Sequence, residues 1–201
     1  MTGKDMLQGI QNLDAELIEE SEFGTFGKGK ARGFGKKKLL LILAAALSFT
    51  PADARLAFET AKALVEEYTP RDAGTHRSRL ASLCLLAAAS AAGADVRRDT
   101  FTAATPKGER SFTNLYAEFR PVDPDARWVV LVSHYDTKPG ANCPGANDGA
   151  STSGLLVGIA NAFAGWTERK GNLMLVWTDG EECMERYAEN DGFWGSKRAA
   201  A

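Results

Sequence analysis

The 201-residue chain lacks the features of several specialised protein classes. Its formal net charge of −2 gives no electrostatic reason to expect a nucleic acid partner, because binding to phosphates requires a concentrated excess of lysine and arginine. It has three cysteines, too few for a disulfide scaffold, although Cys143 and Cys183 lie in predicted loops and could pair. With 44% hydrophobic and 25% charged residues, the composition is that of an ordinary globular domain with one core.

The N-terminal apolar segment is too short to cross a membrane. Residues 39–49 form eleven positions without a charge, whereas a membrane-spanning helix needs about 20. A basic segment, residues 28–38, precedes it, and the small-residue sequence Ala-Asp-Ala at 52–54 follows. This order is typical of a secretory signal, with cleavage expected after Ala54; a buried core helix is the alternative. We therefore expect residues 1–54 to be a leader and the protein to be exported without a stable membrane anchor.

Hydrophobic periodicity predicts two helices, then a strand pair, then a strand–helix–strand unit. The predicted ranges are 55–68, 78–93 with Ser78 as N-cap, 96–102, 113–119, 128–133, 151–164 and 173–178. Strand, helix and strand in this order imply parallel strands joined by a crossover. We therefore expect an α/β fold, a three-layer α/β/α sandwich with a mixed, mostly parallel sheet. The continuous apolar run at 128–133 is the best candidate for its central strand.

Polar residues follow both strands of the predicted parallel pair. His134 and Asp136 come after the first strand, and Glu181 and Glu182 come after the second. Asp148 lies in the loop between the first strand and the helix. Ligands of open α/β sheets bind beyond the carboxyl ends of parallel strands, and neighbouring strands are only about 4.8 Å apart. These residues are therefore expected to meet in one crevice.

The residue types in this crevice favour a divalent metal ion. Five acids would crowd one rim of the sheet: Asp136, Asp148, Asp179, Glu181 and Glu182. A cation is the simplest remedy for their repulsion, and zinc accepts both imidazole and carboxylate ligands. His134, Asp148 and Glu182 could supply three ligands, Asp136 could accept the second imidazole N–H, and Glu181 remains as a general base. Each residue alone has an ordinary structural explanation; together they predict a hydrolytic or acyl-transfer site.

At these residues the sequence resembles the zinc-dependent aminopeptidase family. The family's H-x-D element reads His134-Tyr-Asp136, its G-A-N-D element ends at Asp148, and its E-E pair is Glu181-Glu182. The sequence is most similar to the glutaminyl-peptide cyclotransferase branch. Two features favour that branch: the Thr-Lys dipeptide directly after Asp136, and the long segment between the E-E pair and residue 195.

The resemblance implies a site and two activities. Asp148 and Glu182 would be zinc ligands, Glu181 the acid/base residue, and Tyr187 an aromatic residue beside the substrate. A cyclotransferase would use one zinc ion and convert the N-terminal glutamine of a peptide to pyroglutamate with release of ammonia. An aminopeptidase would use two ions, with His134 also a ligand, and would hydrolyse N-terminal residues from peptides.

The chain departs from this family in its histidines. Family members carry a further metal-binding histidine well beyond the last residues present here, whereas this chain has only His76 and His134. We therefore expect residues 55–201 to be the N-terminal part of a catalytic domain with an incomplete sheet. An inactive fragment of such an enzyme is a third interpretation.

Overall fold

The computed structural model describes residues 49–120, 125–140, 143–166 and 171–201. In chain order the elements are α1 (Pro51–Glu66), α2 (His76–Ala91), β1 (Asp95–Thr105), β2 (Gly108–Phe119), β3 (Trp128–His134), a π-helical turn (Ala146–Ala150), α3 (Ser151–Ala164), β4 (Asn172–Thr178) and α4 (Trp194–Ala200). The predicted basic segment and residues 39–48 lie outside the described residues, so the secretory leader stays a prediction. No helix in the described part of the chain is long and apolar enough to cross a bilayer.

The four strands form one mixed sheet in the order β1-β2-β4-β3. β3 and β4 pair in parallel, with His134 opposite Thr178, as the strand–helix–strand pattern predicts. The α/β class and the mixed sheet are therefore confirmed. The expectation of mostly parallel pairing does not hold for the described strands, because β1 and β2 form an antiparallel hairpin and β2 is also antiparallel to β4.

β3 is not the central strand. It stands at the edge of the described sheet, and Val130 and Val132 on one of its faces are 50% and 59% exposed. β4 lies between β2 and β3 and is almost entirely buried. A continuous apolar run shows that both faces of a strand are apolar, but it carries no information about which strands flank it.

Three helices cover one face of the sheet. The core between them combines Leu64, Leu85 and Val157 from the helices with Leu115 and Trp177 from the strands. α4 packs elsewhere, since its Trp194 stacks on Phe112 with ring centroids 5.1 Å apart. Side chains alternate along a strand, so Phe112 and Leu115 point to opposite faces. Helices therefore lie on both faces, although α4 covers only one end of the second.

α1 and α3 pack closely because glycines face the neighbouring helix. A methyl group at Gly154 would come within 2.3 Å of the Ala57 carbonyl oxygen. One at Gly158 would come within 2.8 Å of the Asp53 carbonyl oxygen. An alanine at either position would therefore force the two helices apart.

Two helix starts differ from the predictions. α1 begins at Pro51 rather than residue 55, because Thr50 and Asp53 form a capping box and Asp53 also accepts a hydrogen bond from Asn161 at 2.6 Å. Cleavage after Ala54 remains a prediction, and it would remove this cap. The N-cap of α2 is Thr75 rather than Ser78, since the Thr75 side chain accepts a hydrogen bond from the backbone N–H of residue 78.

Candidate metal centre

Three predicted ligands meet beyond the ends of β3 and β4. His134 is the last residue of β3, Asp148 lies in the π-helical turn before α3, and Glu182 follows β4. One ligand atom from each residue lies within 4.8 Å of the other two. The shortest separation, 2.9 Å, joins His134 Nε2 to Asp148 Oδ1. Zinc bonds to nitrogen and oxygen are about 2.0–2.2 Å long, so one ion could bind all three atoms after small movements of the side chains.

The turn that carries Asp148 packs directly against the His134 ring. Asp148 itself departs from helical geometry, and Gly149 has a φ of 87°, a conformation that side chains disfavour. A methyl group at Gly149 would lie 3.1 Å from His134 Cε1. Glycine therefore allows the turn to approach the imidazole while the Asp148 side chain stays 71% exposed to the crevice.

Asp136 is buried and connects the two halves of the site. Its carboxylate accepts hydrogen bonds from the backbone N–H groups of Glu181 at 3.2 Å and Glu182 at 3.0 Å. The predicted bond to the second imidazole nitrogen is not formed, since His134 Nδ1 lies 3.4 Å from Asp136 Oδ1 and has no hydrogen-bond partner. Asp136 therefore holds the backbone of the E-E pair, and its negative charge attracts the imidazole.

The acids around His134 favour its protonated form. Burial alone would lower the pKa of His134, but Asp136 and Asp148 outweigh this effect and raise it to about 9. In the absence of metal the imidazolium thus offsets part of the negative charge in the crevice. The donor set fits a zinc ion, since it offers an imidazole nitrogen, two carboxylates and an exposed position for a fourth ligand. A bound zinc ion would replace the proton on His134.

Glu181 stands apart from the three ligand atoms. Its Oε1 accepts the backbone N–H of Ser196 at 2.6 Å, and its Oε2 accepts the Ser196 hydroxyl at 2.8 Å. Burial raises the pKa of Glu181 above its ordinary value, so this carboxylate takes up a proton more readily than an exposed glutamate does. Ser196 was missed as a functional residue by the sequence analysis, although it directly follows Gly195, which closes the long segment after the E-E pair.

Tyr187 contacts both a candidate ligand and the crevice. Its hydroxyl donates a hydrogen bond to Glu182 Oε2 at 2.8 Å, and its ring stacks on Phe193 with centroids 5.0 Å apart. The two exposed rings line an open cavity of about 340 Å³ that also reaches His134 and Glu181. That Tyr187 lies beside a substrate stays a prediction; the structure places its ring at the wall of this cavity. Phe193 had no sequence signal of its own.

The segment between Glu182 and α4 is organised by one carboxylate. Asp191 is buried and accepts the backbone N–H groups of Met184, Glu185 and Arg186 at 2.6, 2.9 and 2.9 Å. These bonds fold the chain back on itself directly before Tyr187. All three cysteines of the chain are free, so the pairing of Cys143 with Cys183 is not found.

Known proteins share this architecture. Residues 114–201 match Peptidase family M28. The glutaminyl-peptide cyclotransferase-like protein of Bos taurus is 34% identical over 119 residues, which make up 54% of this chain and 30% of that protein. The match to Peptidase family M28 and the cyclotransferase relatives confirm the resemblance that the sequence motifs indicated.

Solved structures extend the similarity to the fold. The glutaminyl cyclase of Fimbriiglobus ruber superposes with a TM-score of 0.65 and 28% identity, over 75% of this chain and 55% of that one. The glutaminyl cyclase of an Acidobacteriales bacterium gives 0.66 and 26%, over 73% and 51%. The chain thus spans about half of these solved structures and about 30% of the bovine relative.

Proposed function

We propose that this chain is the N-terminal part of a zinc-dependent glutaminyl-peptide cyclotransferase-like enzyme, because residues 114–201 match Peptidase family M28 and the fold is similar to that of glutaminyl cyclases. The substrate would be a peptide with an N-terminal glutamine, and the products pyroglutamyl peptide and ammonia. His134, Asp148 and Glu182 would hold the zinc ion, and Glu181 would be the acid/base residue.

The observation that carries the proposal is the divergence of two adjacent carboxylates. We call the ligand atoms of His134, Asp148 and Glu182 the ligand triangle. Glu182 belongs to it, whereas the Glu181 carboxylate points to Ser196 and accepts two hydrogen bonds from that residue. Both line the same open cavity, so a bound carbonyl group could reach the metal while a nearby proton reaches Glu181. This division of roles is what a metal-assisted acyl transfer requires.

A bound zinc ion would act as a Lewis acid that polarises the γ-carbonyl of the substrate glutamine. Glu181 would take a proton from the attacking α-amine and return it to the departing ammonia. Ser196 would keep the Glu181 carboxylate oriented through both of its hydrogen bonds. Asp136 would hold the backbone of the glutamate pair in place beside β3 through its two N–H groups. The rings of Tyr187 and Phe193 would bound the cavity on one side.

An aminopeptidase is the second candidate, and the match to Peptidase family M28 favours it. Glu181 would then activate water against the first peptide bond of a substrate. The ligand triangle is compatible with either reaction, since both need a polarised carbonyl and one proton-transfer group. A second metal site of three such side chains is not found among the described residues.

Mass spectrometry distinguishes these activities. The protein is incubated with zinc and a peptide that begins with glutamine. A cyclotransferase releases ammonia and leaves the peptide at its full number of residues, whereas an aminopeptidase releases free glutamine and a shortened peptide. If neither product forms above a zinc-only control, the chain is an inactive fragment and the proposal fails.

The two glutamates offer a matched pair of variants. Glu181→Gln should remove most turnover and leave zinc content unchanged, because this side chain is not in the ligand triangle. Glu182→Gln should lose metal first. Equal loss of zinc in both variants, measured by elemental analysis after gel filtration, would show that the roles are wrongly assigned.

The proposed exported location is supported by the order of basic and apolar residues at 28–38 and 39–49. Expression with a C-terminal tag in a bacterial host, followed by fractionation and N-terminal sequencing of the exported form, tests this location. A new N-terminus near residue 55 supports export through this segment. Retention of the uncleaved chain in the cytoplasm contradicts it.

A further inference from the structure

Arg71 is completely buried, although it lies in a proline- and glycine-containing loop. Its guanidinium donates to four backbone carbonyl oxygens: Tyr135 at 2.6 Å, Pro144 at 2.7 Å, Gly145 at 3.0 Å and Leu64 at 3.1 Å. An arginine is rarely buried unless its donors form hydrogen bonds, and here the acceptors are backbone carbonyl groups. One side chain thus joins the end of α1 to two separate loops.

The two loops are those that present candidate ligands. Tyr135 directly follows His134, and Gly145 opens the turn that carries Asp148. The backbone of Arg71 adds a further link, since its N–H donates to Thr137 Oγ1 at 3.1 Å. The side chain therefore sits behind the metal centre and fixes the position of one loop relative to the other. It lines neither the ligand triangle nor the open cavity.

The charge of Arg71 also acts on this site. Burial lowers the pKa of Arg71, and the negative charges of Asp136 and Asp148 oppose that effect. None of the hydrogen bonds found for its guanidinium among the described residues goes to a carboxylate. The positive charge of Arg71 therefore attracts Asp136 and Asp148 at a distance, without forming a direct ion pair with either. It reduces their mutual repulsion without occupying the Asp148 carboxylate, which stays available for a metal.

We propose that Arg71 is a positioning residue of the metal centre: it clamps the carbonyl groups beside His134 and before Asp148, so that the two side chains stay at ligand separation. The inference rests on the proposed metal site. It predicts that loss of the guanidinium lowers the affinity for zinc more than it disturbs the fold, because second-layer groups of metal sites typically account for 10- to 100-fold in affinity.

The test uses the uncleaved 201-residue chain, which keeps residue 53, and compares Arg71→Lys and Arg71→Ala with wild type and with Asp53→Asn. Lysine keeps the positive charge but cannot serve four carbonyls in a plane. Asp53 is also buried and multiply hydrogen-bonded, yet its partners Thr50 and Asn161 lie outside the metal centre, so it controls for general destabilisation. Zinc affinity is measured by competition with a chromophoric chelator, at a temperature where circular dichroism shows every variant folded.

We expect both Arg71 variants to bind zinc at least about 10-fold more weakly than Asp53→Asn does. Millimolar guanidinium should restore affinity to Arg71→Ala but not to His134→Ala. In the metal-free protein, hydrogen exchange at residues 143–150 should accelerate in Arg71→Lys and stay unchanged in Asp53→Asn. Where Arg71→Ala does not fold, Arg71→Lys and the exchange measurement decide.

If Arg71→Lys has wild-type zinc affinity, or loses no more affinity than Asp53→Asn does, Arg71 does not position the two loops. That result would not contradict the proposed metal site. If wild type itself binds no zinc while remaining folded, the proposed metal site fails and the inference fails with it. The wild-type titration therefore separates the two failures.

Discussion

The two sides of the metal centre are held by opposite charges. On the side that carries His134 and Asp148, the buried cation Arg71 donates hydrogen bonds to backbone carbonyl groups. On the side that carries Glu181 and Glu182, buried carboxylates gather backbone N–H groups: Asp136 holds the glutamate pair and Asp191 holds the residues that follow. In both places, buried charged side chains therefore form the hydrogen bonds that the backbone would otherwise make in a helix or a strand.

This difference shows how a loop can be rigid enough to present a ligand. A carbonyl-rich turn needs donors, and a guanidinium offers five in one plane. A turn with several free N–H groups needs acceptors, and one carboxylate can accept from two or three of them. The buried charges also partly offset one another across the site, as the opposing influences on the pKa of Arg71 indicate.

Asp136→Asn should have the largest effect on the glutamate side. An amide offers one acceptor oxygen where the carboxylate serves two N–H groups, and its NH₂ group would face one of those donors. We expect zinc affinity and turnover to fall about 100-fold, measured by chelator competition and by ammonia release. Asp99→Asn, an equal change of charge at a surface ion pair with Arg198, is the control and should be neutral. An effect under about 3-fold would mean that Asp136 does not organise the pair.

Asp191→Asn should have a moderate effect, because it loosens the chain after the ligand rather than the ligand itself. Buried backbone N–H groups that lose their acceptor should lower the free energy of unfolding by about 1–3 kcal/mol. Urea denaturation of the metal-free protein measures this change. We expect turnover to fall more than zinc affinity does, since Tyr187 follows the loosened segment. Unchanged stability would show that the three hydrogen bonds are replaceable by water.

Tyr187→Phe should have a smaller effect that is confined to one hydrogen bond. The change removes the hydroxyl that donates to Glu182 Oε2 and keeps the ring that stacks on Phe193. A net contribution of about 0.5–1.5 kcal/mol corresponds to roughly a 2- to 10-fold loss of zinc affinity. Tyr187→Ala should in addition raise the KM for peptide. If the phenylalanine variant raised KM as much as alanine does, the hydroxyl rather than the ring would contact substrate.

The stability of the metal-free protein should depend on pH through the charge of His134. The pKa of His134 is about 9 in the folded protein and about 6.5 when unfolded, so the folded state binds more protons between these values. Stability is therefore present in full below pH 6.5 and declines as pH rises through 9. Urea midpoints from pH 6 to 9.5 measure the decline, and His134→Gln should reduce it. The part that remains comes from Asp179, because burial raises the pKa of that carboxyl as well. Rising stability in this range would contradict the assigned charge balance.

Much of this arrangement could be predicted from the sequence. α3 has the predicted bounds, Ser151–Ala164, because its apolar residues repeat at four-residue spacing. The meeting of His134 with Glu182 follows from the rule that parallel strands end on the same side of a sheet. The capping box of α1 is also present in the sequence as Thr50 and Asp53, three residues apart. The sequence analysis considered the small residues around it only as a cleavage site, which stays a prediction.

Other features had no local signal. An arginine next to proline and glycine has the composition of a solvated loop, and nothing in residues 69–75 shows that Arg71 reaches carbonyl groups more than sixty residues away in sequence. The bond from Ser196 to Glu181 likewise depends on where α4 begins. The edge position of β3 could not be predicted, because pairing partners are a property of the whole sheet.

The most direct test of the central claim is an anomalous diffraction map at the zinc absorption edge, from crystals of the full chain grown with zinc. Our account predicts a peak about 2.0–2.2 Å from His134 Nε2, one oxygen of Asp148 and one oxygen of Glu182, with Glu181 outside bonding distance. A map with no peak among these three side chains, or with zinc bound to Glu181 in place of Glu182, would contradict it.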